Sequence, residues 1–388
     1  MSYTGLARTS TIPGRYRLAS VFLAGLALIS SGCGGESDSP TAPEGEPALA
    51  VGTAAAPLTF RMVAPGGWHT CGVAADNRAY CWGLNDNGQL GDGTINRRFR
   101  PTAVARGLRF VQVHGGYYHS CGVTTDNLAY CWGLGENGRL GFGGIGTRVR
   151  PVPVAGGLRF RQVSVGAHHS CGVTTDDRAY CWGWNYGGQL GDGTTTERRT
   201  PVPVAGGLRF RRIKVGGYTC GLTTGGKTYC WGGEHHAPAI IPGGISFRQV
   251  SAGCGLTAGH QAYCWDSYAQ PELVPGGFSW SQLVSSGRIC GVTTTNRAYC
   301  WGDNFTGALG DGTEIDRTTP TAVLGGLLFS GVSPGMGSHT CGVTTTGKAY
   351  CWGHNAYGQL GLGTNTGPQT CNFELPCSRR PRAVVGPL

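Results

Sequence analysis

Residues 169–183 read HSCGVTTDDRAYCWG, and variants of this stretch recur along the chain. The paired cysteines are Cys71 and Cys81, Cys121 and Cys131, Cys171 and Cys181, Cys220 and Cys230, Cys254 and Cys264, Cys290 and Cys300, and Cys341 and Cys351. Trp follows the second cysteine of every pair. Successive first cysteines are spaced by 50, 50, 49, 34, 36 and 51 residues. A period near 50 with several short strands per unit is the signature of a propeller. Between Leu158 and Gly206, "LRFRQVSVG", "HSCGVTT" and "RAYCWG" read as three strands, and "TPVPVAG" as an outer strand, where Pro is tolerated. The expected fold is all-β, a seven-bladed β-propeller of four-stranded antiparallel blades, each with one disulfide in its hairpin.

The turn inside the repeat sets the register. Six positions after the first cysteines stand Asn77, Asn127, Asp177, Gly226, His260, Asn296 and Gly347, all residue types that accept a left-handed backbone. A three-residue hairpin loop needs one such residue there. Counting outward from the loop, Ala74 faces Arg78, Gly72 faces Tyr80 and Cys71 faces Cys81. Alternation places the cysteines on a non-hydrogen-bonded pair, with Cα atoms about 4.5 Å apart, a separation a disulfide accepts. The same count pairs Cys121 with Cys131, Cys171 with Cys181, Cys220 with Cys230, Cys254 with Cys264, Cys290 with Cys300 and Cys341 with Cys351. Cys371 and Cys377 make an eighth expected pair, which leaves Cys33 over among the 17 cysteines. The nine-residue gaps lack close Cys-x2–4-Cys ligand spacing, so no metal is expected. The hairpin places Cys, Val, Ala and Cys on one face and Gly, Tyr and Trp on the other. Both faces need covering, as in a blade stacked between two others, and the glycine after each first cysteine is expected to admit an aromatic from the next blade.

The chain has 388 residues with 70 Gly, 21 Pro, 10 Trp, 15 Tyr and 12 Phe, so its glycine load is matched by regularly placed aromatics. Residues 1–32 read as a signal peptide. Arg8, Arg15 and Arg17 precede "LASVFLAGLALI", an apolar run too short to span a bilayer. "SSGC", ending at Cys33, resembles a lipoprotein box with Ser30 where Leu is usual, and Cys33 is the expected lipidation site. Residues 33–57 read as a flexible tether and 58–388 as the propeller. The expected product is exported, as a membrane-anchored lipoprotein of the cell envelope or secreted, with its cysteines in an oxidising compartment. Membrane contact is expected through the lipid alone, and a monomer is expected.

The run "CWGxNxxGQLGDGT…PVPV", best seen from Gly188 to Thr194 with copies at 88–94, 307–313 and 358–364, resembles the regulator of chromosome condensation repeat family, over about residues 58–388. The resemblance implies a seven-bladed propeller closed by pairing strands from the two chain ends. Family members activate a nuclear GTPase and bind chromatin, partners an exported protein would not meet. A bacterial relative, the propeller-type β-lactamase inhibitor protein, binds an enzyme with one face of the ring. After Trp231 and Trp265 the Gly-Gln-Leu-Gly loop is missing, which predicts a shortened rim in one sector.

Signals for catalysis are scarce: there is no Gly-x-Ser-x-Gly elbow, no phosphate loop and no His-Glu-x-x-His. Neither an enzyme nor a cofactor is expected; a hydrolase or lyase site spread over several blades is the remote alternative. Asp92, Asp192 and Asp311 in the "GDGT" loops read as turn residues, one carboxylate per loop being too few for calcium. His69, His119, His169 and His339 precede the first cysteines by two residues and are expected to bond backbone groups between blades.

Arginine is the prominent polar feature. Arg97, Arg98, Arg100, Arg148, Arg150, Arg198, Arg199, Arg317, Arg379, Arg380 and Arg382 precede the proline strands in equivalent loops and are expected to form a basic arc on one face. A solvated rim is the plain account of it; recognition of an anionic partner is the functional one. The expected function is a macromolecular binding module for an extracellular or envelope protein, as inhibitor or scaffold. The alternative is an anionic polysaccharide, which Trp184, Tyr186, Phe305 and Tyr357 would stack against. Coincidence of these aromatics with the arginines favours a glycan, and separation favours a protein. Nucleic acid fits least, since no aromatic platform accompanies the arginines in sequence.

Overall fold

A computed structural model of the chain describes residues 58–266 and 268–387; the signal, Cys33 and the whole tether lie outside the described residues. Seven antiparallel sheets follow one another along the chain, each built from consecutive strands. Blade 1 comprises Phe60–Pro65, His69–Ala74, Ala79–Gly83 and Arg98–Ala103, from the channel outward. Blades 2 to 6 open on Phe110–Gly115, Phe160–Val165, Phe210–Val215, Phe247–Ser251 and Trp280–Ser286, and blade 7 on Phe329–Pro334. Blade 7 departs from the expected four strands: Gln369–Cys371 adds a fifth outside Leu375–Ala383, held by the disulfide between Cys371 and Cys377. No helix among the described residues is long and apolar enough to cross a membrane.

The hairpin register follows the turn chemistry. Asn77 has φ +67°, and all seven equivalent residues are left-handed. Asn77 N–H donates to the Ala74 carbonyl and Ala74 N–H to the Arg78 carbonyl, closing a three-residue loop. Cys71 then pairs with Cys81, Gly72 with Tyr80 and Val73 with Ala79. Every hairpin carries the disulfide expected of it. The bridges join Cys71 to Cys81, Cys121 to Cys131, Cys171 to Cys181 and Cys220 to Cys230. They continue with Cys254 to Cys264, Cys290 to Cys300 and Cys341 to Cys351. Their Cα atoms stand 4.0–4.1 Å apart, closer than the 4.5 Å of an unbridged pair because the bond draws the strands together. Eight disulfides in one domain suit an oxidising environment.

The hydrophobic core lies between blades, in seven seams. At the first seam Cys71, Val73, Ala79, Cys81 and Leu90 of blade 1 meet Phe110, Val113 and Trp132 of blade 2. The aromatic beside each hairpin glycine is not from the next blade, as expected, but from the same one: a Cβ on Gly72 would stand 2.8 Å from the Phe60 ring. The first strand is the nearest neighbour across the sheet, so it supplies the ring.

Ring closure also differs from the expectation. Among the described residues no sheet mixes strands from the two chain ends; blade 7 packs against blade 1 as any blade packs on the next. Phe60 N–H donates to the Gly347 carbonyl at 2.8 Å, repeating the Phe110 to Asn77 bond at 2.7 Å. Each blade is complete in itself, so a seam suffices to close the ring.

Candidate interaction face

The ends of the first and third strands lie on one face of the ring, which gathers the turn before each histidine and the long loop after each tryptophan. Four of the seams below this face are built on histidine. His69 Nε2 bonds Ser120 Oγ at 2.8 Å, His119 bonds Ser170, His169 bonds Thr219, and His339 bonds Thr70 across the closing seam. The partner is thus a hydroxyl of the next blade rather than the backbone group expected. That hydroxyl in turn donates to a carbonyl, as Ser120 does to Gln89 at 2.9 Å, so the imidazole donates from Nε2. Burial holds these rings neutral, with His69 and His169 pushed down to about 3.

The Gly-Gln-Leu-Gly loop is a clasp on the following blade. The Gln89 carbonyl accepts the Trp132 indole at 2.9 Å, and Leu90 buries in the seam. Gly91 has φ +69°, and a Cβ there would stand 2.7 Å from the Trp132 ring, so only glycine serves. Within the loop, Asn85 donates to the Thr94 and Asn96 carbonyls. Asp92 accepts from Thr94 and Arg98. Burial pushes the Asp92 carboxyl up, but those hydrogen bonds outweigh it and hold the group below its usual range. This is loop scaffolding.

The arginines are divided between that scaffolding and the surface. Arg98, Arg198 and Arg317 open their outer strands in equivalent register and reach buried Asp92, Asp192 and Asp311 at 2.8–2.9 Å. Arg97 pairs with Asp86 at 2.7 Å, Arg199 with Glu197 at 3.7 Å, and Arg379 with Glu314. Arg148 lies 4.2 Å over the Phe142 ring, while Arg100 and Arg382 bond the Gly386 carbonyl and Ser378 Oγ. Arg150 and Arg380 lie across Gly93 and Gly312 of the preceding blade. Six of the eleven therefore face a carboxylate.

The loop aromatics share this face. Arg97 sits 5.0 Å over the Tyr357 ring, Tyr357 lies 5.6 Å from Trp68, Trp68 lies 6.0 Å from Tyr117, and Tyr117 lies 5.0 Å from Tyr118. These rings span blades 7, 1 and 2. Trp184 stacks on Tyr186 at 6.2 Å in blade 3, and Tyr186 is 80% exposed. Phe305 of blade 6 is 40% exposed and stands apart from both groups. Trp68 and Tyr118 stand immediately before His69 and His119, with Tyr117 one place earlier, in the short turn rather than the long loop, and that place beside the recurrent histidine is their signal in the sequence. Phe373 is 84% exposed in the stapled loop between Cys371 and Cys377.

Where blades 4 and 5 lack the loop the rim drops. Only two residues separate Thr228–Gly232 from His235–Ile240, and the outer strand of blade 5 shrinks to Glu272–Leu273. A cleft of about 620 Å³ opens over blade 5, reached by Tyr218, Trp265, Gln270, Ser285 and the disulfide of Cys254 with Cys264. No group of three or more metal-ligating side chains occurs among the described residues.

Two family models describe these blades, both for the regulator of chromosome condensation (RCC1) repeat. One matches residues 76–123, 126–173 and 176–223, the other 110–139, 160–189 and 337–359. The chain carries RCC1 repeats. Each 48-residue match starts in a hairpin turn and ends in the second strand of the following blade, so the RCC1 repeat and the blade are half a blade out of phase. Solved structures agree on the propeller. Human WBSCR16 is 20% identical over 84% of this chain and 81% of its own, with a TM-score of 0.50. Yeast RCC1 (Prp20), in its complex with Kap60, is 20% identical over 83% and 74%, with a TM-score of 0.50. The ectodomain of the Physcomitrella patens receptor kinase CR4 is 22% identical over 76% and 74%, with a TM-score of 0.52. Likeness at these identities establishes a shared fold.

Proposed function

We propose that this RCC1-repeat propeller is a non-catalytic, exported binding module that takes a protein partner on the face carrying the cluster of Arg97, Tyr357, Trp68 and Tyr117. That contiguous cluster carries the reading. Tyr, Trp and Arg are the residues that dominate protein interface energetics, and packed together they lose little side-chain freedom on binding. The complex of yeast Prp20 with Kap60, and the plant receptor ectodomain of the same fold, lend support from the comparisons. The basic run before Leu18–Ile29 and the disulfide load favour export, with Cys33 as the lipid anchor and residues 33–57 as the tether.

A second reading, an anionic glycan, draws on one observation: arginines and aromatics coincide on one face, as Arg97 over Tyr357 illustrates. It ranks second because six of the eleven arginines already face carboxylates, which reduces the positive field available to a polyanion.

The test compares the full chain with a Trp68→Ala, Arg97→Ser, Tyr357→Ala variant as bait against envelope and medium fractions of the native host. Arg98, Arg198 and Arg317 stay, since they hold the loops. A protein retained by the first bait and lost by the second supports the reading. A salt-sensitive polysaccharide retained in the same way selects the glycan. Equal retention by both baits places the binding surface elsewhere.

A further inference from the structure

The seven first strands line the central channel, and in four of them a glutamine clasps the next blade. Gln112 Oε1 accepts from Val163 N–H at 3.2 Å, and Gln162 bonds both the N–H and the carbonyl of Ile213. Gln249 donates to the Leu283 carbonyl at 2.7 Å, and Gln282 accepts from Val332 N–H at 2.9 Å. In the same register blade 7 has Gly331, with no side chain to reach blade 1. There the channel wall opens into a cavity of about 320 Å³, lined by Arg61, Met62, His114, Lys214 and Ser333 among others.

Every ionisable group in that lining is a base. Lys214, half-buried in the channel wall, has no hydrogen bond or ion pair among the described residues, and burial pushes its ammonium down to about 8. His114 is held neutral by its burial and by facing Lys214. Arg61 spends one N–H on the Phe110 carbonyl at 3.2 Å and keeps others. Beside this cavity, at the mouth on the hairpin-turn face, Arg161, Arg211 and Arg212 surround a further space of about 340 Å³. Arg161 is engaged by Asp177, whereas exposed Arg212 has no carboxylate partner among the described residues. A desolvated ammonium without a counter-charge is costly, and an anion seated beside it relieves that cost.

We propose that the central channel is a binding site for an oxyanion of the phosphate or sulfate type, held by Lys214, Arg61 and Ser333. The anion comes either free or as a group on a polymer that would continue over Arg211 and Arg212. The site lies in the channel and at its opposite mouth, away from the aromatic cluster, and stands independently of the partner taken there.

The test is calorimetric titration of the full chain in an oxyanion-free buffer, with inorganic phosphate and with long-chain polyphosphate as the two probes. Lys214→Met is expected to weaken both by about tenfold or more, the loss of one charge-assisted contact. Lys214→Arg retains binding, and Arg199→Ser, an exposed arginine on the other face, leaves it unchanged. Circular dichroism checks that Lys214→Met is folded, as expected when an unpaired charge in the channel wall is removed. If Arg211→Ser with Arg212→Ser weakens polyphosphate and spares phosphate, the site takes a phosphorylated polymer; if it spares both, a free oxyanion. No heat with wild type, or equal affinity in wild type and Lys214→Met, overturns the proposal.

Discussion

The imidazole of His69 is buried between two blades, donating from Nε2 to Ser120 and leaving Nδ1 without a partner among the described residues. Protonation would place an uncompensated charge at the seam, and buried His119, His169 and His339 meet the same penalty. The unfolded chain takes up these protons as pH drops below 6.5, while folded His69 and His169 resist until about 3. Stability contributed by the seams is therefore complete above pH 6.5 and falls as pH is lowered, by about 1.4 kcal/mol per pH unit for each histidine. Urea midpoints should drop steeply from pH 7 to pH 5, and His169→Gln should flatten that slope by one histidine's share. A pH-independent midpoint would mean the histidines are hydrated in solution. The left-handed turn residues give a second expectation at this scale. Asn127 has φ +64°, so Asn127→Ile should cost about 1–2 kcal/mol, while Asn127→Gly should be close to neutral by the same denaturation measurement.

At the scale of the hairpin, the disulfides differ in accessibility. Both cysteines of six hairpins are fully buried, whereas Cys264 is half-buried and lines the cleft left by the missing loop. Thiol–disulfide exchange requires access of the attacking thiolate to sulfur. Under limiting reductant, the bridge of Cys254 with Cys264 should be the first hairpin staple opened, ahead of the sealed pairs such as Cys121 with Cys131. Differential alkylation and peptide mass mapping read the order. Simultaneous labelling of all seven hairpins would instead point to global unfolding as the route. Opening this one staple should cost about 2–3 kcal/mol if loop entropy dominates. Most of the element level was legible in the sequence. Turn residue, cysteine register and outer proline strand are each set by neighbours within about ten positions, where alternation and left-handed preference leave a single solution. The clasp role of Gln89, Leu90 and Gly91 was not legible, because its partner Trp132 lies 43 residues beyond Gln89.

Over the whole molecule, the ring closes by a seam built like those that join blades 1 to 4. His339 bonds Thr70 at 2.9 Å, Thr70 donates to the Gln359 carbonyl at 2.8 Å, and Trp82 donates to the same carbonyl at 3.0 Å. Thr70→Val strands the ring N–H of His339, while the Gln359 carbonyl keeps Trp82, and should destabilise by about 1–3 kcal/mol. In a closed ring each blade is supported from both sides, so hydrogen exchange should quicken in all seven hairpins by a similar factor. Quickening confined to blades 1 and 7 would show instead that the closing seam opens locally. Ser120→Ala at the first seam serves as the matched comparison.

The sequence by itself determined the blade count, the hairpin register, the cysteine pairing and the shortened sector, because each follows from short-range alternation and turn chemistry repeated with a period. Tertiary structure decided the rest. It placed a hydroxyl opposite each seam histidine, supplied the ring over Gly72 from the same blade, and packed blade 7 on blade 1 through a seam like the others. It also settled which arginines face carboxylates, brought Trp68, Tyr117 and Tyr357 together from three blades, and left Lys214 in a channel opened at Gly331. The physical reason is common to all of these. A seam joins residues about one repeat apart, and several partners of equal chemistry are offered by every repeat, so only the stacking of whole blades selects among them.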